Sequence, residues 1–191
     1  MKEETGTKEK LLVAAKEEFM EKGYTATSLR SICKKADVTT GALYFFFQHK
    51  EDLFGSLVQK PLEKLYELMK LHYEGELQVL KQGIVEKGDY TENSEAANFI
   101  VIYMFQYHDE FKLLLTKSDG SRYENCIDEF VEITQVHYRI LADAMSKKYQ
   151  VERIDDYTLH WFAHLQIFTF SQFITHNVTK EEALVQIKTN F

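Results

Sequence analysis

The segment from residue 27 to residue 53, TSLRSICKKADVTTGALYFFFQHKEDL, constrains the fold of this chain more than any other segment. Thr27 and Ser28 can cap a first short helix. The inward positions of that helix carry small or apolar residues: Leu29, Ile32, Cys33 and Ala36. After a corner of three residues, Thr39 can cap a second short helix that carries Leu43 inward. Two capped helices joined by so short a corner predict a helix-turn-helix.

The start of the second helix suits the DNA major groove. A helix-turn-helix inserts this helix by its N-terminal residues, which favours small side chains there. The residues at this position are Thr39, Thr40, Gly41 and Ala42. All four are predicted DNA-binding residues, of which Thr39, Thr40 and Ala42 are expected to contact bases. Phe45 is a further candidate for base contact, whereas Phe46 and Phe47 are predicted to be core residues. Because this set contains no Arg, Lys, Asn or Gln, we expect it to read thymine methyl groups and groove shape.

The order of residues from about Thr7 to Leu53 resembles the DNA-binding domain of the tetracycline-repressor (TetR) family. The resemblance is carried by Phe19, Gly23-Tyr24, the Thr27-Ser28 cap, Ile32, Ala36, Val38, Gly41, Leu43-Tyr44, Phe47 and the Lys50-Glu51-Asp52-Leu53 start of the next helix. Two positions depart from the family pattern: Asp37 replaces the usual glycine at the corner, and Cys33 replaces a common alanine. Aspartate tolerates a positive φ, and a reduced cysteine packs as a small hydrophobe. We expect Asp37 to be left-handed or to cap the following helix.

The resemblance also implies contacts with DNA phosphates. It assigns one contact to the Tyr44 hydroxyl and one to Lys50 at the start of the next helix. Thr27 is expected to offer a phosphate both its hydroxyl and a helix N-terminus. Contacts of this kind position a protein on DNA without specifying the sequence.

The charge distribution is consistent with a local DNA contact. The net charge of −7 argues against a chain that coats nucleic acid indiscriminately. Residues 1–50 have a balance of +2, however, and residues 51–191 a balance of −9. The cationic residues near the motif are Arg30, Lys34, Lys35 and Lys50. They predict a small basic face that contacts phosphates.

The rest of the chain predicts helices only. It has one proline and eight glycines, and its apolar residues recur at helical spacing. We predict an all-α fold of about nine helices. The family resemblance implies a helix-turn-helix domain at residues 1–50 and an effector-binding and dimerisation domain at residues 51–191. The later helices are expected at 51–73, 76–87, 94–107, 109–116, 121–148, 155–176 and 179–190. Pro61 should kink the first of these near Leu57.

The resemblance implies a sequence-specific transcriptional regulator, usually a repressor, that binds a palindromic operator as a homodimer and is released by a small-molecule effector. Effector-pocket candidates are the ring-bearing and Met residues Tyr66, Met69, Tyr73, Phe99, Tyr103, Phe105, Tyr107, His137, Tyr138, Trp161 and Phe168. The helices near 155–176 and 180–190 are expected to form the dimer interface. Its candidates are Leu159, Phe162, Ala163, Gln166, Phe170 and Phe173, whereas Trp161, Leu165, Phe168 and Ile174 cover another side.

Two alternatives remain open. One is a metal- or haem-sensing regulator, because His160 and His164 have a spacing that places both on one helix face. The other is a ligand-binding scaffold that retains the helix-turn-helix only as structure.

Other classes of protein are not expected. The sequence has no glycine-rich phosphate loop, nucleophile elbow or HExxH motif, so we predict neither an enzyme nor a cofactor. Cys33 and Cys126 fall in separate predicted helices, which argues against a disulfide. The N-terminus resembles no signal peptide, and no apolar run approaches eighteen residues. These features predict a cytoplasmic protein without a membrane partner.

Overall fold

The computed structural model describes residues 2–82, 91–176 and 178–190. Those residues form nine α-helices and no strand, so the all-α prediction is confirmed. The helices are α1 (Lys2–Ala26), α2 (Leu29–Ala36), α3 (Thr40–Phe46), α4 (Lys50–Gln82), α5 (Thr91–Gln106), α6 (His108–Lys117), α7 (Cys126–Tyr149), α8 (Asp156–Thr175) and α9 (Lys180–Asn190). The helical path of α1 is interrupted at Gly23, which has φ 79° and ψ 167°.

Two differences from the predicted helix boundaries exceed three residues. The predicted helices 51–73 and 76–87 are a single helix, α4, as far as Gln82. Gly75 lies inside this helix without interrupting it, and the predicted positions 83–87 lie outside the described residues. Helix α7 begins at Cys126 instead of residue 121, because the residues before it form a turn in which Glu124 N–H donates to the Ser121 carbonyl at 3.2 Å.

The chain divides into two compact units. The first unit comprises Met1–Glu63 and Asp109–Asn125, and the second comprises Lys64–His108 and Cys126–Phe191. Pro61 lies within α4 without interrupting it, and the predicted kink remains a prediction. Because the units are defined by packing, the predicted division of functions at residue 50 also remains a prediction.

Aromatic packing forms the centre of the first unit. Phe19 and Phe54 are fully buried, and their ring centroids are 5.0 Å apart in an edge-to-face arrangement. The Tyr24 ring packs against Phe54 at 5.2 Å. Ile32 of α2 and Leu43 of α3 are also fully buried, so both short helices are fixed to this core. Edge-to-face rings contribute about 0.5–1.5 kcal/mol per pair beyond the area that they bury.

The second unit leaves part of α8 uncovered. Leu159, Ala163, Phe170 and Phe173 are buried within the unit, together with Ile174. The exposed apolar side chains of α8 are Tyr157, Trp161, Phe162, Leu165 and Phe168. The predicted face was therefore wrong for Leu159, Ala163, Phe170 and Phe173, which pack on their own chain. Ile174, predicted on the opposite side, is buried as well. An evenly apolar helix does not reveal from its sequence which side its own subunit covers.

None of the helices in the described ranges combines the length and apolar character needed to cross a membrane. Cys33 and Cys126 are both buried and form no disulfide within the described residues. Burial raises the pKa of the Cys126 thiol to about 12.

Candidate nucleic-acid interface

The start of α2 is capped by Ser28. Its side-chain oxygen accepts a hydrogen bond from the Ser31 N–H at 3.1 Å, and its backbone is extended. The Ser31 hydroxyl donates to the Ser28 carbonyl at 2.8 Å. Ser28 is exposed, so this helix start faces solvent.

The corner between α2 and α3 is made by Asp37, Val38 and Thr39. Asp37 has φ 54° and ψ 49°, which confirms the predicted left-handed conformation. The Val38 N–H donates to the Cys33 carbonyl at 3.0 Å and helps to close the end of α2. Helix α2 therefore ends without a glycine.

The start of α3 presents small side chains to solvent. Thr39 is its N-cap and accepts a hydrogen bond from the Ala42 N–H at 3.2 Å. Thr40 and Gly41 are exposed, and Ala42 is half-buried. The fully buried Leu43 holds the opposite side of the helix in the core. Several predicted base-contact residues thus share one accessible helix start.

Two aromatic residues extend this surface. Tyr44 is 57% exposed and Phe45 is 72% exposed, values that are unusual for large rings in a well-packed domain. The Phe45 ring lies edge-to-face with Phe46 at 5.0 Å. Phe47 is buried, as predicted, whereas Phe46 is only half-buried.

The predicted basic face is smaller than the sequence suggested. Arg30 and Lys34 are exposed and have no ion-pair partner among the described residues. The Lys35 ammonium is instead 3.2 Å from a Glu17 carboxylate oxygen and 3.4 Å from one of Glu18. The positive charges available near the corner are therefore Arg30 and Lys34.

Thr27 and Lys50 have internal roles that correct the sequence prediction. Thr27 is only 3% exposed, and its hydroxyl donates to the Gly23 carbonyl at 2.7 Å. The Lys50 ammonium donates to the carbonyls of Tyr24 at 2.8 Å and Thr27 at 3.1 Å. Burial lowers the pKa of this ammonium group, although Glu51 acts in the opposite direction. In this structure neither side chain offers a phosphate a free hydrogen-bonding group.

The second unit contains a buried polar cluster between α4 and α7. The Tyr73 and Thr134 hydroxyl oxygens are 2.8 Å apart, and His137 Nε2 lies 2.6 Å from a Glu76 carboxylate oxygen. The Tyr73 and His137 rings are stacked with centroids 4.0 Å apart. His72 completes the cluster, with Nε2 3.7 Å from the other Glu76 oxygen. Burial raises the pKa of Tyr73 to about 12 and lowers that of His72.

Only part of the predicted effector set surrounds this cluster. Tyr73, His137 and the buried Met69 lie on its helices, α4 and α7. The aromatic residues Phe99, Trp161 and Phe168 are exposed. On α5, Phe105 is half-buried, and the Tyr103 and Tyr107 rings contact each other at 5.0 Å. Sequence reasoning missed Glu76 and Thr134, although each is three residues from a predicted effector residue, Tyr73 and His137 respectively. It considered His72 only as a possible metal ligand.

Two open grooves lie on the second unit. One, of about 500 Å³, is lined by Tyr66, Glu129, Glu132, Ile133 and Val136, and in it the Tyr66 hydroxyl donates to Glu129 at 2.5 Å. The other, of about 590 Å³, lies between α7 and α8. Tyr138 and Gln166 share a hydrogen bond at this groove. Tyr66 and Tyr138 therefore line different surfaces.

His160 and His164 lie on one face of α8, as their spacing predicted, with ring centroids 4.4 Å apart. His160 Nδ1 is 3.1 Å from the Gln135 side-chain oxygen. Across the described part of the chain, no group of three or more His, Cys, Asp and Glu residues is arranged to hold a metal ion.

The capped corner and the accessible α3 form a helix-turn-helix of the kind that DNA-binding proteins use. Residues 11–57 match the sequence model of the family described as "Bacterial regulatory proteins, tetR family". These residues are therefore a DNA-binding region of the TetR type.

Known relatives agree with this assignment. The HTH-type transcriptional repressor BepR of Brucella suis biovar 1 is 35% identical over 83 residues, which cover 41% of this chain and 40% of BepR. The HTH-type transcriptional regulator AcrR of Shigella flexneri is 27% identical over 134 residues, which cover 68% of this chain and 61% of AcrR. In each case the similarity spans less than two thirds of the relative.

Solved structures support the fold. A transcriptional regulator (TerR/AcrR family) from Aquifex aeolicus VF5 has a TM-score of 0.60 at 20% identity, and the match covers 96% of both chains. A gamma-butyrolactone receptor (ArpA like protein) has a TM-score of 0.59 at 20% identity, with 97% of this chain and 86% of that chain covered.

Proposed function

We propose that this protein is a cytoplasmic, sequence-specific transcriptional regulator that acts as a homodimer, and that it represses its targets until a small-molecule effector binds. The observation that carries the proposal is the accessible start of α3. Small residues begin this helix and are followed by the exposed Tyr44 and Phe45, while the buried Leu43 anchors the helix in the core. This arrangement meets the steric demand of a major groove.

The proposed DNA contacts divide into two kinds. Thr39, Thr40, Gly41, Ala42 and Phe45 face bases, where small apolar and hydroxyl groups suit thymine methyls and groove shape. Phosphates are contacted by Tyr44, Arg30 and Lys34, and by the exposed N-terminus of α2 at Ser28. Ser28 takes the place that the sequence had given to Thr27, because the Thr27 hydroxyl is used inside the unit.

The uncovered face of α8 supports a dimer. Tyr157, Trp161, Leu165 and Phe168 recur at spacings of three and four residues, which place them along one side of the helix. A contiguous apolar surface of this kind is costly in water and is characteristic of an interface. A second copy of the chain would cover this surface and supply a second helix-turn-helix, which a palindromic operator requires.

The buried cluster of the second unit supports an effector site. Replacing buried polar pairs by well-packed apolar residues is often neutral or stabilising, so this cluster has no clear advantage for stability. A role in ligand binding gives a reason for its presence. Aromatic faces with a few oriented polar groups suit small organic ligands. The gamma-butyrolactone receptor with the same fold is named for such a ligand. We place the effector near Tyr73 and His137, with Tyr66, Met69 and Tyr138 on the same two helices.

Selection from a random duplex library tests the DNA-binding proposal. The purified protein should enrich a two-fold symmetric motif, and binding to that duplex should weaken steeply as salt increases. A scaffold with a vestigial helix-turn-helix would enrich no motif and would bind all duplexes with equally weak affinity. Mass spectrometry of ligand retained through purification would then identify candidate effectors.

A further inference from the structure

A segment from the middle of the chain is part of the first unit. Residues Asp109–Asn125, here called the docked segment, belong to the same compact unit as the helix-turn-helix. At its beginning, the Lys16 ammonium of α1 is 2.9 Å from a Glu110 oxygen and 3.1 Å from an Asp109 oxygen. Further along, the Thr25 hydroxyl donates to the Asp119 carbonyl at 2.6 Å. The segment thus contacts α1 at two separated places.

The backbone of the docked segment approaches the unit closely at Gly120. This residue has φ 82°, and a Cβ atom there would lie 2.6 Å from the Thr25 hydroxyl oxygen. Both its conformation and the available space therefore favour glycine. Gly55 of α4 also has little space for a side chain, because a Cβ atom there would lie 2.8 Å from the Tyr123 hydroxyl oxygen. Such close approaches indicate a defined docking geometry.

Glu51 joins the docked segment to the end of α1. One carboxylate oxygen accepts a hydrogen bond from the Arg122 backbone N–H at 3.1 Å. The other accepts one from the Tyr24 hydroxyl at 2.7 Å. The Arg122 guanidinium donates to Gln59 at 3.1 Å and to the Tyr123 hydroxyl at 2.6 Å, which fixes the turn beside Glu51. A single carboxylate therefore connects α1, α4 and the docked segment.

The same region determines how the chain enters α2. Residues 24–27 lead directly to Ser28, the N-cap of α2. The Lys50 ammonium donates hydrogen bonds to the carbonyls of Tyr24, Thr25 and Thr27. Tyr24, Thr25 and the Thr27 carbonyl are thus held by Glu51, Asp119 and Lys50 respectively. A change at Glu51 would alter the support of the backbone immediately before the helix-turn-helix.

We propose that Glu51 is a positioning residue for DNA recognition, which holds the end of α1 and the docked segment in the arrangement that presents α2 to DNA. The proposal rests on the proposed function. The observation that carries it is the shared carboxylate: the Arg122 backbone N–H of the docked segment and the Tyr24 hydroxyl of α1 both donate to Glu51.

Two substitutions of Glu51 separate hydrogen bonding from charge. Both Glu51→Ala and Glu51→Gln remove one negative charge, which by itself strengthens binding to DNA. Only the carboxamide of Gln can still accept from the Arg122 N–H and donate to the Tyr24 hydroxyl oxygen. Glu9→Ala, at an exposed position of α1, removes the same charge without touching this network. Affinity is measured by fluorescence anisotropy on the duplex selected by the unmodified protein and on a scrambled duplex.

Glu51→Ala should bind the selected duplex about tenfold more weakly, a loss expected when two hydrogen bonds to a charged group are removed. Glu51→Gln and Glu9→Ala should stay within about twofold of the unmodified protein, and binding to the scrambled duplex should not weaken in any variant. A purely structural role would lower the melting temperature without separating selected from scrambled DNA. Equal affinities of the Ala and Gln variants for the selected duplex would overturn the proposal.

Two further measurements keep the test decisive. If Glu51→Ala does not fold, Tyr24→Phe removes only the hydroxyl from the network and should weaken selected-duplex binding about threefold, and unchanged affinity would overturn the proposal. Hydrogen exchange of the amides from Thr25 to Ser31 needs no DNA. It should be faster in Glu51→Ala than in Glu51→Gln, and equal rates would count against the proposal. Failure of the unmodified protein to select any duplex would instead refute the proposed function.

Discussion

The Lys50 ammonium donates a hydrogen bond to the Tyr24 carbonyl at 2.8 Å and lies 4.3 Å from the centroid of the Tyr24 ring. The start of α4 is thereby tied to the end of α1, where carbonyl groups have no helical partner. A cation at this end of a helix is also favoured by the helix dipole. Lys50 consequently stabilises the first unit through the backbone that leads into the helix-turn-helix.

This internal role distinguishes Lys50 from the exposed cations. Lys50→Gln should lower the melting temperature but leave the salt dependence of operator binding unchanged. Arg30→Ala should leave the melting temperature unchanged. It should reduce the slope of log affinity against log salt by about 1, as expected for one lost phosphate contact. Lys34→Ala serves as a second exposed variant. A reduced salt slope in Lys50→Gln would show that its ammonium reaches DNA after all.

Tyr44 and Thr40 should have separable effects on DNA binding. Tyr44→Phe removes one hydroxyl and should weaken operator binding by about 1 kcal/mol without altering the preferred sequence. Thr40→Ala should change which bases are preferred, because its side chain lies at the exposed start of α3. Library selection with each purified variant measures both effects. An identical motif from Thr40→Ala and the unmodified protein would remove Thr40 from the base-reading set.

The left-handed Asp37 provides a test of the corner. Asp37→Gly should change the free energy of unfolding by less than about 1 kcal/mol, since glycine adopts this conformation without strain but loses more entropy on folding. Asp37→Val should destabilise by more than about 1 kcal/mol, because a β-branched residue is strained at φ 54°. Thermal melts of both variants give the comparison. A large loss in Asp37→Gly would mean that the carboxylate itself stabilises the corner.

The sequence predicted the features that depend on local chemistry. The Thr39 cap, the left-handed Asp37 and the inward Leu43 follow from side-chain propensities within a few residues, and all three are present. Local signals also favoured a cap at Thr27, but the Thr27 hydroxyl lies inside the unit and donates to the Gly23 carbonyl. The family resemblance assigned Lys50 to a phosphate, and local signals could not correct this because its actual acceptors are more than twenty residues away in sequence.

Contacts between distant segments could not be predicted. Nothing in the sequence near Arg122 indicates a bond to Glu51, and His137 and Glu76 have no shared motif. The orientation of α8 was equally hidden, because apolar residues surround most of that helix. Periodicity identifies the buried side of a helix only when the other side is polar.

Acidification should weaken the first unit through Glu18. This residue is buried, and the hydrogen bond from the Lys22 ammonium at 2.6 Å holds the pKa of its carboxyl below the ordinary value, against the effect of burial. Because the folded-state pKa is below the unfolded one, the stabilisation is present above the unfolded pKa and is lost as the pH falls through the folded pKa.

The melting temperature of the unmodified protein should therefore fall more steeply below about pH 4.5 than that of Glu18→Gln, which has no charge to lose at this position. Thermal melts between neutral and acidic pH measure the two slopes. Glu9→Gln is the matched control, since this exposed glutamate has no ion-pair partner among the described residues. Parallel curves for the Glu18 variant and the unmodified protein would contradict the assignment.

Two substitutions in α8 distinguish its two faces. Leu165 is 61% exposed and Phe170 only 9%, although both belong to the same apolar helix. Leu165→Glu places a charge on the proposed dimer face and should give a folded monomer that binds operator half-sites poorly. Phe170→Glu places a charge in the core of the second unit, where it should cost several kcal/mol and unfold that unit. Sedimentation and circular dichroism on both variants separate loss of assembly from loss of fold. If Phe170→Glu gave a folded monomer while Leu165→Glu remained dimeric, the partner would cover the face of α8 that contains Phe170. A monomeric unmodified protein at micromolar concentration would refute the dimer itself.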